Sequence, residues 1–210
     1  MKKSGFFILE GGEAVGKTTQ LRLIETALSE KGYEVLTSRE PGGTAIGDRI
    51  RAILLDQAHG NTIQPLTELF LYNASRRQWM HEVVDPALAA GKIVLGDRSF
   101  LSTMVYQAYV QGIDPEFAKD ICLRAMGGRV PDRIFLLDIP TEEMLRRLKK
   151  DADNKTSRYD VMEDDFHRSV REGYLAQIDR FPGLIEKIDG QAPVDEISQK
   201  IIGKILDAIG

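Results

Sequence analysis

At 210 residues the chain is long enough to bury one sizeable core, and a single domain over 1–210 is the default expectation. Its 42% apolar and 29% charged residues are an ordinary globular balance, and a net charge of −4 excludes a generally basic surface for a nucleic acid polymer. The lone Cys122 excludes an internal disulfide, and no apolar run approaches the ~18 residues of a membrane span, so a soluble, cytoplasmic setting is expected.

Met1-Lys2-Lys3 leads straight into a short apolar strand over 5–10, not into the long apolar segment of a signal peptide. Next comes Gly11-Gly12-Glu13-Ala14-Val15-Gly16-Lys17-Thr18, which fits G-x-x-x-x-G-K-[ST] without a mismatch. Gly11 and Gly16 permit the tight turns that point successive N–H groups inward as an anion nest. The helix that follows, over about 17–31, adds its positive N-terminal end. Residues Gly11 to Thr18, with Thr19, are therefore the expected ATP site. In it Lys17 meets the β- and γ-phosphates, and the Thr18 hydroxyl is a hard oxygen ligand for Mg²⁺.

A second strand is expected over 33–38, then a turn, Arg39-Glu40-Pro41-Gly42-Gly43, with Thr44 capping the next helix. In that helix Ile46, Ile50, Ile53 and Leu54 read as core, with Arg49 and Arg51 among them. A long helical pattern covers 66–90, with a bend near Pro86. An apolar strand over 93–96 ends at Asp97, and helices follow over 100–110 and 115–126. A strand over 133–139, a helix over 141–150, a charged stretch over 151–160, a helix over 163–180, a strand over 184–188 and a helix over 194–209 close the chain. Strands alternating with helices predict an α/β fold of the P-loop NTPase kind, with about five parallel strands and helices on both faces. Ligands on such sheets bind at the carboxyl ends of strands.

Four groups of residues beyond the phosphate loop carry chemistry. Asp97 at a strand end suits Mg²⁺ held through water, and Arg98 offers a fork that matches a phosphate; taken alone, Asp97-Arg98 also reads as a surface ion pair. Ser99, Ser102, Thr103, Tyr106 and Gln107 share one helix face, whose hydroxyls and amide suit an uncharged hydrogen-bonding ring. Tyr72 and Arg76, four residues apart, can stack on a base and donate to its carbonyl; on their own they read as a core tyrosine beside a surface arginine. The basic run 146–158 reads either as a solvated loop or as a short lid, at about 149–160, that closes over the phosphates.

Taken in order, LEGGEAVGKTTQ, TSREPGGT, TELFLYNASR, GDRSFLSTMVYQ and VPDRIFLLDIP resemble the thymidylate kinase family, whose members transfer phosphate from ATP to dTMP. The resemblance implies a Mg²⁺-dependent kinase, homodimeric through its long helices, with substrates ATP and dTMP. It implies acceptor contacts from Glu13 (sugar), Tyr72 (stacking, where phenylalanine is more usual), Arg76 (thymine carbonyl), Arg51 and Arg98 (phosphate), and Ser102, Thr103, Tyr106 and Gln107 (pyrimidine edge and sugar). Ala14 stands where one branch of the family has an arginine, which moves the transition-state charge to lid cations, with Lys155 and Arg158 as the catalytic pair and Lys149 and Lys150 as alternatives. Another small-acceptor kinase, or a nucleotide switch without an acceptor, are the competing readings. A GTP switch would need Asn-Lys-x-Asp after a strand, and Asn154-Lys155-Thr156-Ser157 lacks the aspartate.

Overall fold

A computed structural model describes residues 4–59, 62–150 and 157–210. The strands β1 (Gly5–Glu10), β2 (Val35–Arg39), β3 (Ile93–Asp97), β4 (Arg133–Asp138) and β5 (Ile185–Asp189) form one parallel sheet in the order β2-β3-β1-β4-β5. The helices are α1 (Lys17–Glu30), α2 (Ala45–Leu55), α3 (Pro65–Trp79), α4 (Asp85–Ala89), α5 (Phe100–Thr103), α6 (Pro115–Ala125), α7 (Thr141–Lys150), α8 (Asp164–Arg180) and α9 (Val194–Ile209). Helix α3 runs through a π-helical turn, Met80–Val84, into α4, so the expected long helix is one rod whose irregularity precedes Pro86. A second π-helical stretch, Met104–Val110, continues α5, and a 3₁₀ turn spans Arg158–Val161.

Strand β1 is central and wholly buried, which is why its sequence is apolar at nearly every position. Its side chains alternate between two cores. Phe6 and Ile8 pack with Leu69, Trp79, Phe100, Val105 and Tyr174 on the face covered by α3, α6 and α8. Phe7 and Leu9 pack with Ile24, Leu28, Ile201 and Ile205 on the face covered by α1 and α9. All strands point the same way, so the loops after β1, β2 and β3 open at one edge. Arg98 N–H donates to Leu9 O (3.0 Å) and Glu40 N–H to Asp97 O (3.0 Å), which locks the three loops together.

Two expectations about α2 are revised. Thr44 does cap the helix, accepting from Gly47 N–H at 2.9 Å, but Ile46 and Ile53 are 53% and 46% exposed. Only Leu54 of that helix is a fully buried apolar side chain. The apolar periodicity of α2 reported two faces, one inward and one outward. Cys122 lies buried in α6 as packing predicted.

Candidate active site

The phosphate loop takes its shape from two glycines. Gly11 has φ 140° and Gly16 φ 99°, both in the left-handed half of the map. A Cβ on Gly11 would stand 2.5 Å from Leu137 O, so the loop can lie against β4 only with glycine there. Lys17 folds back over the loop, donating to Gly11 O (3.1 Å) and Gly12 O (2.7 Å). Burial, with Arg98 nearby, lowers the Lys17 pKa below the ordinary lysine value. Glu13, Ala14, Gly16, Lys17, Thr18, Thr19, Asp97 and Arg98 line an open cleft of about 430 Å³. Val15 is buried beneath it. Asp97 Oδ1 is buried without a hydrogen-bond partner among the described residues. Asp97 lines the same cleft as Thr18, and a carboxylate with a hydroxyl is the kind of hard oxygen donor set that would suit Mg²⁺.

This cleft also contains a residue that the sequence named only as part of the basic run 146–158. Arg147 of α7 lines it and reaches the Ala14 carbonyl at 3.4 Å. It is held by Glu143 at 2.7 Å, an i, i+4 pair legible in the sequence once the helix is oriented over the loop.

A narrower cleft of about 160 Å³ adjoins the first, lined by Glu13, Pro41, Arg51, Tyr72, Arg76, Arg98, Ser102, Tyr106, Gln107 and Tyr159 among others. Glu13, Arg51 and Arg98 line both. Arg98 holds φ 70°, an uncommon conformation for a residue with a side chain. One guanidinium nitrogen donates to both Glu13 oxygens (2.8 and 2.8 Å), the other to Gly11 O and Tyr174 Oη (both 2.9 Å). Tyr106 Oη donates to Glu13 Oε1 at 2.9 Å. Burial pushes the Glu13 carboxyl up, but the charges of Arg98 and Lys17 more than reverse it and leave it below the usual carboxylate range.

Glu10 supports the Arg98 turn from below. It is fully buried at the end of β1 and accepts from Ser99 N–H (2.8 Å), Ser102 N–H (3.2 Å), Ser102 Oγ (2.7 Å) and Tyr174 Oη (3.0 Å). It thus fills the capping role at the N-terminus of α5 from another element. Burial pushes its carboxyl above the usual range, against the pull of Arg98.

At the far end of the cleft Arg76 is 1% exposed, which replaces the surface arginine of the simplest sequence reading. It is ion-paired to Glu40, donates to Asn73 Oδ1 (2.6 Å) and Thr103 Oγ1 (3.0 Å), and contacts Cys122 Sγ (3.4 Å). Its Nε has no partner among the described residues. Thr103, expected to face a ligand, instead accepts from Arg76 and is not among the cleft-lining residues. Tyr72 Oη lies 3.3 Å from Tyr159 Oη, and burial raises the Tyr72 phenol to about 12. Arg51 donates to Pro41 O at 2.9 Å, at the cis Glu40-Pro41 bond.

Arg158, expected as a lid cation at the transferred phosphate, is placed elsewhere. It is buried and paired with Glu68 at 2.6 Å, and it does not line the phosphate cleft. Lys155, the other expected lid cation, lies outside the described residues, whereas Lys149 and Lys150 are exposed at the end of α7. Glu10, Glu40, Glu68, Tyr159 and Tyr174 were missed as site residues. The signal for Glu10 and Glu68 was an acidic residue ending or interrupting an apolar run.

The chain as a whole matches known proteins. The family model for thymidylate kinase matches residues 9–201. The chain belongs to the thymidylate kinase family. It is 39% identical over 203 residues to the thymidylate kinase of Clostridium novyi (strain NT), covering 97% of this chain and 98% of that one. It is 42% identical over 201 residues to that of Thermoanaerobacter sp. (strain X514), covering 95% and 96%. The crystal structure of thymidylate kinase from Ehrlichia chaffeensis superposes with a TM-score of 0.77 at 27% identity, over 97% of this chain and 99% of that one.

Proposed function

We propose that the chain transfers the γ-phosphate of ATP to dTMP, giving dTDP and ADP. Family membership over nearly the whole chain supports this, and one observation carries the chemistry: Arg51 and Arg98 line both clefts. An acceptor phosphate held by these guanidiniums meets a γ-phosphate held by Lys17 and the loop amides. The acceptor is already an oxyanion, so no general base is required, and catalysis is positioning plus charge neutralisation. Glu13 fixes Arg98 and faces the acceptor sugar, Tyr106 crowds the sugar, Tyr72 stacks on thymine, and Ser102 and Gln107 read the ring.

Thr18 and Asp97 would hold Mg²⁺, which when bound would supply charge neutralisation to the ATP phosphates. Arg147 of α7 adds a cation to Lys17, Arg51 and Arg98 at the phosphate cleft, with Lys155 of the lid, at about 149–160, as a further donor of charge. Arg158 pairs with Glu68 and holds that carboxylate behind the acceptor cleft. One cytoplasmic domain is the working unit, with no helix among the described residues long and apolar enough to cross a membrane. Exposed Ile46 and Ile53 on α2 and Leu66 and Phe70 on the adjoining α3 support a homodimer through these helices. Phe70→Lys is expected to convert a dimeric mass in light scattering to a monomeric one; an unchanged mass would place any dimer contact elsewhere.

Coupled ADP release with and without dTMP tests the reaction. Turnover is expected only with the acceptor present; equal release without it would contradict a kinase.

A further inference from the structure

Glu68 of α3 is fully buried, and donors from separate elements converge on it. Arg158 pairs with it at 2.6 Å, Tyr159 Oη donates to Oε1, Gln107 Nε2 donates to Oε1 at 2.8 Å, and Gln111 Nε2 donates to Oε2 at 3.1 Å. A carboxylate paired with a guanidinium only accepts hydrogen bonds. The Gln107 amide therefore has one allowed orientation here, with its NH₂ toward Glu68 and its carbonyl oxygen turned away. That oxygen has no hydrogen-bond partner among the described residues, and Gln107 lines the acceptor cleft together with Arg76.

The cleft wall thus pairs a donor with an acceptor. Arg76 can only donate and retains an unpartnered Nε; Gln107 presents a carbonyl. Thymine and uracil offer the complement, a ring carbonyl beside an N3–H. Cytosine offers the reverse, an exocyclic amine beside an acceptor nitrogen. If Gln107 were flipped, its NH₂ would meet the N3–H donor to donor.

We infer that Glu68 is a positioning residue for base specificity: by pinning the Gln107 amide it makes the carbonyl face the cleft, so that the site accepts an imide pyrimidine and rejects an amidine one. The inference rests on the dTMP reading and on Gln107 facing the acceptor base.

The sharpest probe is 5-methyl-dCMP, which keeps the methyl, sugar and phosphate of dTMP and changes only the N3–C4 edge. With the unmodified full chain and ATP·Mg²⁺, kcat/KM for dTMP is expected to exceed that for 5-methyl-dCMP by at least ~10²-fold, since buried polar groups would be left mismatched. In Glu68→Gln the new amide can donate to Gln107, which is then free to flip, and this ratio is expected to fall at least ~10-fold with the KM for ATP unmoved. A merely structural role would depress both substrates alike; a ratio within about twofold of the parent would overturn the inference. Should Glu68→Gln leave Arg158 too poorly paired to fold, Glu68→Gln/Arg158→Met removes that charge and reads the same ratio. An unmodified protein that turns over dTMP and 5-methyl-dCMP equally would overturn the inference alone. One that turns over neither would overturn the kinase reading and this inference with it.

Discussion

The two clefts are built in opposite ways. The phosphate cleft is wide, and its shape comes from backbone: glycine conformations, loop amides and a helix end, with Lys17 and Arg147 each bonded to loop carbonyls. The acceptor cleft is narrow, and its shape comes from side chains that hold one another: Glu13 with Arg98 and Tyr106, Glu40 with Arg76, Glu68 with Arg158 and Gln107. A backbone nest recognises any triphosphate tail. A web of buried charge pairs recognises one ring, because each polar group left unmatched is expensive. On the proposed reading, generality and selectivity are separated in space and meet at Arg51 and Arg98, which line both clefts.

The largest effect that would break this division is at the shared chemistry. Lys17→Ala is expected to lower kcat by ~10³-fold or more, by removing a cation where charge develops, while the thermal midpoint stays near the parent's. Near-normal turnover would remove the phosphate loop from the reaction. Arg98→Ala should lower kcat/KM for dTMP by ~10²–10³-fold with little change in the KM for ATP, because it strips the acceptor grip and removes the guanidinium that both Glu13 oxygens accept from. A larger effect on ATP than on dTMP would move Arg98 to the donor side.

Smaller changes sharpen the boundary. Tyr72→Ala should raise the KM for dTMP by ~10–100-fold, the stacking energy of one base, and leave that for ATP alone. Equal effects on both substrates would deny stacking. Arg147→Ala should do the converse at smaller scale, raising the KM for ATP by about tenfold or less, as loss of one solvent-accessible contact predicts. A shift in the KM for dTMP instead would show that α7 serves the acceptor.

The same contrast explains what was legible in the sequence. The phosphate loop is contiguous, so spacing alone located Lys17 and Thr18, and alternation of strands with helices located the sheet edge that carries them. The acceptor cleft joins residues far apart in the chain, and its pairings are not periodic. Arg76 looked like surface because its partner Glu40 lies on another loop. Thr103 shares a helix face with Ser102 and Tyr106, yet its hydroxyl accepts from Arg76, and Arg76, not Thr103, lines the cleft. Arg158 reads as one more cation in a basic run until Glu68 is brought beside it. Resemblance supplied the acceptor residues; geometry supplied which of them touch the cleft and which hold the others.

The central claim, a general donor site joined to a selective acceptor site, is tested most directly by one acceptor panel. With ATP·Mg²⁺ and dTMP, dUMP, dCMP, dGMP or AMP in turn, initial rates at limiting acceptor should give dTMP the highest kcat/KM, dUMP next, and dCMP, dGMP and AMP far below. Comparable values for dTMP and AMP, or ADP release that needs no acceptor, would contradict the account.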